Sequence, residues 1–169
     1  MTMNSYNIRV ATAQDEPFLW DMLYESLYVP DGGEPFSRDI LNEPFMKKYV
    51  AGWGREGDLG YIATNGEGKP IGSITLRYFD EANKGFGYVS DEIPELGMAL
   101  LPESRGQGIG TALMTALFQG AKARGISRLS LSVAPENTAA VKLYRRFGFQ
   151  EVGVFGTSIT MVAECKIEN

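Results

Sequence analysis

The spacing of apolar residues divides the chain into short strands and amphipathic helices. Residues 6–10 read as a strand, and Thr12 with Asp15 three positions on forms the pattern of a helix cap. Apolar residues then recur at three- and four-residue spacing over 18–27, which predicts a helix with one buried face. Residues 33–60 are irregular, so we expect a long connection with one or two short helices, of a kind that often shapes a pocket.

Strands and helices follow one another in the second half. Residues 60–64 and 71–79 are β-rich and joined by a polar, glycine-containing turn, as in a hairpin. A strand at 95–101 is followed by a glycine-rich turn, an apolar helix at 110–124 and another strand at 128–133. This strand, helix, strand unit requires a parallel pair in a right-handed crossover, whereas the hairpins require antiparallel pairs.

A short helix at 137–147 and a closing hairpin at 149–154 and 157–163 complete the pattern. The predicted order is β-α-α-β-β-β-α-β-α-β-β, which is an α/β (α+β) fold with a mixed central sheet. No repeat, low-complexity segment or linker interrupts the pattern, so we predict a single domain over residues 1–169.

The composition excludes several kinds of chemistry. The chain has no histidine and one cysteine, so it can form no Ser-His-Asp relay, imidazole metal site or internal disulfide, and we expect no metal centre. With 16 basic and 21 acidic residues the net charge is −5, which disfavours a nucleic-acid partner. Neither a bilayer-spanning stretch nor a secretory signal is visible, so we expect no membrane partner and a cytoplasmic location.

The glycine-rich turn is a candidate anion site. Its sequence is Arg105-Gly106-Gln107-Gly108-Ile109-Gly110-Thr111. At the start of a helix several backbone N–H groups lack helical partners, the glycines let a phosphate approach the main chain, and Arg105 adds a charge. The run is not a dinucleotide fingerprint, since Thr111 stands where glycine or alanine is needed, and it lacks the Gly-Lys-Ser/Thr of a P-loop.

Two motifs resemble those of the GNAT superfamily of N-acyltransferases. Arg105, Gly108 and Gly110 fill the fixed positions of that superfamily's acetyl-CoA binding motif, Gln/Arg-x-x-Gly-x-Gly/Ala. Residues 132–149 resemble its later strand, its Asn-x-x-Ala helix and its Tyr…Gly-Phe ending, in the same order and spacing. At the level of motifs the resemblance covers residues 95–154.

The resemblance implies a three-layer GNAT-like fold of about six to seven strands and about four helices, with one splayed parallel strand pair. It also implies acetyl-CoA (coenzyme A) as the cofactor, its pantetheine arm lying in the gap beside Met98, Ala99 and Leu100. The pyrophosphate would then meet the amides of residues 105–111. Asn137 and Tyr144 are further expected cofactor contacts, although Asn137 also suits a helix N-cap.

Acetyl transfer to an amine needs a proton acceptor and a donor to the developing oxyanion. Without histidine, a carboxylate is the natural acceptor, directly or through water, and Glu95 at the start of its strand is the best candidate. Asp91 and Glu92 rank lower, and a purely structural role for Glu95 is an equal alternative. For the oxyanion donor, the resemblance suggests the N–H of Met98 or Ala99.

The departing thiolate also needs a partner. Tyr144 occupies the position of the family's frequent general acid, and a phenol with a pKa of about 10 can donate to a thiolate whose conjugate acid has a pKa of about 8.5. Its alternative role is that of a packed core aromatic. Nothing marks Cys165 as an activated nucleophile, so we expect direct transfer in a ternary complex.

We expect the acceptor to enter beside the first helix, the loop that follows it and the last hairpin. The candidate acceptor residues are Tyr24, Glu25, Tyr28, Asp31, Glu34, Trp53 and Phe155. The predicted function is an N-acetyltransferase that acts on a small-molecule or peptide amine, as a monomer or homodimer. The alternatives are a non-catalytic acyl-CoA sensor, and an O-acyl or longer-acyl transferase on the same scaffold.

Overall fold

The computed structural model describes residues 5–165 and contains seven strands and four α-helices in that part of the chain. The strands are β1 (Tyr6–Val10), β2 (Leu59–Asn65), β3 (Pro70–Arg77), β4 (Glu95–Leu100), β5 (Arg128–Val133), β6 (Gln150–Phe155) and β7 (Ser158–Glu164). The helices are α1 (Glu16–Glu25), α2 (Pro44–Lys47), α3 (Ile109–Ala123) and α4 (Thr138–Arg146).

All seven strands belong to one sheet, in the order β1-β2-β3-β4-β5-β7-β6. Neighbouring strands are antiparallel except for β4 and β5, which the right-handed crossover through α3 makes parallel. The predicted order of elements, the mixed sheet and its parallel pair are confirmed.

Local signals in the sequence fix the ends of several helices. The predicted cap at Thr12 is a capping box: its hydroxyl accepts from the Gln14 N–H, while the Asp15 carboxylate accepts from the Thr12 N–H at 2.8 Å. At the other end of the crossover helix, Gly125 has a φ of +73°, a conformation that glycine adopts without a Cβ penalty, and α3 stops there.

Helices cover both faces of the sheet. α3 and α4 pack on one face, where Leu113 and Leu117 join inward-facing strand residues such as Leu131 in the larger core. α1 covers the opposite face, where Leu19 packs with Trp53 in a second cluster. This three-layer arrangement matches the expected fold. Within residues 5–165, no helix is both long and apolar enough to cross a membrane.

A row of buried polar residues crosses three strands on the α1 face. Arg77 of β3 stands opposite Glu95 of β4, and Glu95 stands opposite Ser130 of β5. All three side chains are buried. This row sits where β4 and β5 begin to separate, and it supplies the carboxylate of the candidate site.

Candidate active site

The parallel strands β4 and β5 separate almost as soon as they meet. Glu95 and Ser130 form the one register pair recorded between them in the described residues, and the Ser130 N–H donates to the Pro94 carbonyl at 3.0 Å. Beyond this pair the two strands diverge. The splayed pair that the sequence predicts is therefore present.

One wall of the gap carries main-chain donors. In a strand, the main-chain groups of alternate residues point to the same side, and those of Pro94 point toward β5. The N–H groups of Met98 and Leu100 therefore point into the gap, past the end of the β4 and β5 pairing. The N–H of Ala99 points the other way, toward Ser73 of β3.

The gap leads to the glycine-rich turn before α3. Gly106 and Gly108 have φ values of +77° and +81°, and Gly108 is the N-cap residue of this 15-residue helix, without a side-chain cap. The first amides of α3 therefore lack helical acceptors and carry the positive end of the helix dipole. A Cβ on Gly110 would lie 3.3 Å from Leu143 Cδ2 and 3.7 Å from Met98 Cε, so α3, α4 and β4 meet here.

The turn is tied to the end of α1. The Arg105 guanidinium lies 3.6 Å from the Glu25 carboxylate, and about half of the Arg105 side chain is exposed. On the opposite side of the gap, the Tyr28 hydroxyl donates to the Glu136 carbonyl at 3.4 Å. The Gln107 side chain donates to the Glu103 carbonyl at 3.1 Å.

Glu95 lies in a closed polar niche and is only 5% exposed. The Tyr49 hydroxyl donates to its Oε2 at 2.7 Å and the Gly87 N–H donates to its Oε1 at 3.1 Å. Burial raises the pKa of Glu95 to about 7, although both hydrogen bonds and the charge of Lys48 act in the opposite direction. A carboxyl group with such a pKa gains and loses a proton near neutrality, as a general base must.

Two glycines let the β3–β4 connection close this niche. A Cβ on Gly85 would collide with the Glu95 carboxylate, and one on Gly87 would lie 2.6 Å from the main-chain carbon of Leu131 in β5. The segment that joins β3 to β4 therefore lies directly over the carboxylate and over β5. The sequence predicts only a polar, glycine-containing loop here, and the Gly-x-Gly spacing is the signal that could have indicated this close approach.

Tyr49 is a functional candidate that the sequence did not single out. Besides donating to Glu95, its hydroxyl accepts from the Phe86 N–H at 2.6 Å. Its ring stacks on Phe86 at 6.4 Å and meets Phe79 edge-on at 5.0 Å. Burial, followed by the negative charge of Glu95, raises the pKa of Tyr49 far above its usual value, so the phenol remains protonated.

Arg77 holds the segment that carries Tyr49. Its Nε and Nη2 donate to the two Asp58 carboxylate oxygens at 3.0 and 2.8 Å, and its Nη1 donates to the carbonyls of Lys48 and Ala51 at 2.9 and 2.8 Å. Because the two carbonyls flank Tyr49, this fully buried guanidinium fixes the main chain on both sides of it.

The two cofactor candidates of α4 lie beside the larger core. Tyr144 is buried and meets Phe149 edge-on at 5.8 Å. Burial raises the pKa of Tyr144 to about 12, so its phenol stays protonated at neutral pH. Asn137 is the N-cap of α4 and its side chain accepts from the Ala140 N–H at 3.4 Å. Tyr144 belongs to the core on the α3 and α4 face of the sheet, whereas Glu95 lies on the α1 face.

The expected acceptor residues do not converge on one place. The Tyr24 hydroxyl donates to the Phe36 carbonyl at 2.6 Å, and Glu34 is exposed in the loop after α1. Trp53 is buried in the second core cluster, with the Arg77 guanidinium 5.3 Å from its ring centre.

Phe155 lines a cavity of about 670 Å³ between α2, the β3–β4 connection and the β6–β7 hairpin. Phe45, Lys48 and Lys84 are among the other lining residues. Gly85 and Phe86 also line it, with Glu95 and Tyr49 directly behind them. Among residues 5–165 no cluster of three metal-ligating side chains exists.

Comparison with known proteins agrees with this geometry. The model of the acetyltransferase (GNAT) family matches residues 19–149. An uncharacterized N-acetyltransferase of Methanocaldococcus jannaschii is 33% identical over 104 residues, which are 61% of this chain and 44% of that protein. The chain spans less than half the length of the curated relatives it matches first.

Solved structures share the fold over nearly the whole chain. The ribosomal-protein alanine N-acetyltransferase of Escherichia coli has a TM-score of 0.68 at 22% identity and covers 98% of this chain and 97% of its own. A phosphinothricin acetyltransferase of Sinorhizobium meliloti, solved with acetyl-CoA, has a TM-score of 0.65 at 21% identity and covers 96% and 89%. The fold and the splayed strands define a GNAT-type domain. With more than half of its residues matched by the family model, the chain belongs to the acetyltransferase (GNAT) family.

Proposed function

We propose that this protein transfers an acetyl group from acetyl-CoA to a primary amine, directly and within a ternary complex. The observation that carries the proposal is the gap between β4 and β5, which presents the N–H groups of Met98 and Leu100 and ends at the free amides of the α3 N-terminus. An extended arm with amide groups and a terminal diphosphate is the ligand that complements this surface.

The residues present fit such a cofactor. The amides of residues 106–111 would hold the diphosphate, assisted by the half-exposed Arg105 side chain, while the N–H of Arg105 itself donates to the Pro102 carbonyl. The Met98 carbonyl and the main-chain groups of Leu100 would pair with the pantetheine arm, which leaves the Met98 N–H for the thioester. Ala99 would contribute packing rather than its N–H, because that group faces β3.

When bound, acetyl-CoA supplies an activated thioester. The Met98 N–H would donate to the carbonyl oxygen as negative charge develops on it, at no cost in reorganisation, because β4 already holds that donor in place. Tyr144 would donate a hydrogen bond to the departing sulfur. Burial raises its pKa to about 12, so the phenol stays protonated and would act as a hydrogen-bond donor to the thiolate rather than give up its proton.

Glu95 would accept the proton that the amine loses. Gly85 and Gly87 cover the carboxylate, so the proton would reach it through water rather than by direct contact with the amine. Cys165 is buried and burial raises the pKa of its thiol, which argues against a covalent acyl-enzyme and for direct transfer.

The names of proteins with a similar fold point to two classes of amine acceptor. The name of the E. coli structure specifies a protein alanine, whereas the S. meliloti protein is named for a small molecule. Peptide N-termini and small amines are therefore both within the proposal.

The test is release of coenzyme A thiol from acetyl-CoA in the presence of a broad panel of amines. We expect acceptor-dependent release that falls at least tenfold in Glu95→Gln and Tyr144→Phe, but not in the exposed control Glu67→Gln. If acetyl-CoA raises the melting temperature but no amine causes release of coenzyme A thiol, the result would instead favour a non-catalytic sensor. Propionyl- and succinyl-CoA, with hydroxyl acceptors in parallel, separate the longer-acyl and O-acyl alternatives.

A further inference from the structure

Exposed apolar side chains concentrate at the cavity beside Phe155. The large apolar side chains that are exposed among the described residues are Val10, Phe36, Phe45, Val89, Val152, Val154 and Phe155. All of them except Val10 and Phe36 line this one cavity, so it holds five of the seven. Its volume of about 670 Å³ lies in the range of pockets that enclose a small organic ligand.

The aromatic part of the wall is already assembled. Phe86 meets Phe45 and Phe155 edge-on, with ring centres 5.9 Å apart in each pair. On its other side Phe86 stacks on Tyr49, which the Glu95 niche holds in place. A ligand with an apolar body therefore meets rings drawn from α2, the β3–β4 connection and the β6–β7 hairpin, without prior rearrangement of Phe86.

The charges around the cavity disfavour a polycation. The lining carries two ammonium groups, those of Lys48 and Lys84, and one carboxylate, that of Glu81. Of the nearby carboxylates, Glu81 lies 3.6 Å from Lys84 Nζ and Asp91 accepts a hydrogen bond from the Tyr88 hydroxyl. Because Glu81 already pairs with Lys84 and Asp91 with Tyr88, and Lys48 leaves the lining with a net positive charge, polyamines and aminoglycosides are poor occupants.

The wall formed by Gly85 and Phe86 sets the direction of an acceptor. These two residues face the cavity on one side and contact Glu95 and Tyr49 on the other. An acceptor whose apolar group packs on Phe155 can therefore direct its single amine toward the Gly85–Phe86 wall, on the side of the cavity nearest the Glu95 carboxylate.

We propose that this cavity binds a primary monoamine that carries a bulky aromatic or branched apolar group close to the nitrogen. The inference rests on the proposed acetyl transfer and specifies its acceptor. The apolar group belongs either to a free arylalkylamine or to the first residue of a peptide, and the experiment below separates these two sources.

The experiment measures kcat/KM for thiol release with matched acceptors. The first pair is 2-phenylethylamine and ethanolamine, the second is the tripeptides Phe-Gly-Gly and Gly-Gly-Gly, and spermidine and kanamycin represent polycations. We expect the apolar member of at least one pair to be preferred about tenfold or more, since similar gains are typical of added apolar groups in a fitted pocket. The pair that shows the preference identifies the source.

Phe155→Ala should reduce that preference about tenfold, whereas the matched control Phe36→Ala, which lies outside the cavity, should leave it unchanged. If spermidine, kanamycin or ethanolamine is turned over as well as the apolar acceptors or better, the acceptor assignment is wrong. The proposal of acetyl transfer itself would not be affected. If no acceptor is turned over, the proposed function fails. In that case the melting temperature tests the ligand class of the cavity. A rise with 2-phenylethylamine or Phe-Gly-Gly that Phe155→Ala abolishes would support this ligand class, and no such rise would refute it.

Discussion

Glu95 should make the protein less stable as the pH rises from 5 to 8. Its carboxyl group has a pKa of about 7 in the folded chain, against 4.5 for the unfolded group, because burial disfavours its charged form. The folded state therefore holds this proton over a pH range in which the unfolded state has released it. By linkage, the free energy of unfolding falls as the pH rises through that range.

The magnitude follows from the two pKa values. One pH unit corresponds to about 1.4 kcal/mol, so the total loss attributable to Glu95 is about 3 kcal/mol, most of it between pH 5 and pH 7. Since the side chain is only 5% exposed, solvent screening reduces this figure little. The hydrogen bond from Arg9 is the largest cause that lowers the pKa of Asp15, so that acid titrates below this window.

The variant Glu95→Gln, which has no titrating group at this position, is the reference against which the pH dependence of the parent protein is compared. An amide keeps one acceptor oxygen but presents an NH₂ group to a niche whose Tyr49 and Gly87 partners both donate. This mismatch should cost about 1 to 3 kcal/mol at every pH, while the titration disappears. The variant should therefore be less stable than the parent protein at pH 5 and about equal to it, or more stable, at pH 8.

Urea unfolding followed by tryptophan fluorescence, at half-unit pH steps from 5 to 8, measures both curves. The exposed variant Glu67→Gln should track the parent protein throughout. If the free energies of unfolding of the parent protein and of Glu95→Gln change with pH in parallel, then Glu95 has the same charge in the folded and unfolded states. In that case the buried niche does not exist as described.

Four further outcomes follow from the same structure. Tyr144→Phe should lower kcat at least tenfold but change KM for acetyl-CoA less than threefold, because the proposed role of the phenol is to donate to the departing sulfur; steady-state thiol release measures both. Tyr49→Phe removes a hydrogen bond that lowers the pKa of Glu95, so the acid limb of the kcat/KM profile should move to higher pH. Arg77→Met removes the buried arginine that pairs with Asp58 and leaves only the more distant Arg55 guanidinium at 3.7 Å, so it should cost about 3 kcal/mol in urea unfolding. Gly108→Ala places a Cβ at a φ of +81°, which should cost about 1 to 2 kcal/mol in stability and weaken acetyl-CoA binding in calorimetry.

The order of elements could be predicted because each is specified by residues close together in sequence. The Thr12 to Asp15 cap, the apolar spacing of α3 and the stop at Gly125 are all local signals, and the structure has them at the predicted positions. The parallel pair followed from connectivity alone, since a strand, a helix and a second strand leave a single favoured handedness.

The surroundings of Glu95 could not be predicted because they join distant parts of the chain. Tyr49 lies 46 residues from Glu95, and Arg77 lies 19 residues from Asp58. Such pairs leave no periodic trace in a sequence. The cavity could not be predicted for the same reason, since its lining comes from three segments that are far apart in the chain, and one of them, the β3–β4 connection, is irregular.

The buried polar row supports the proposal that Glu95 serves the reaction rather than the stability of the fold. Opposite it in β5, the Ser130 hydroxyl is fully buried and has no hydrogen-bond partner in the described residues, so this row is not optimised for satisfied polar contacts. A carboxylate here lowers stability at neutral pH, and an apolar side chain at position 95 would remove that loss, since buried ionisable groups rarely stabilise a fold. An acid that weakens the folded state, has a pKa near 7 and lies where β4 and β5 separate is the combination expected of a group that exchanges protons.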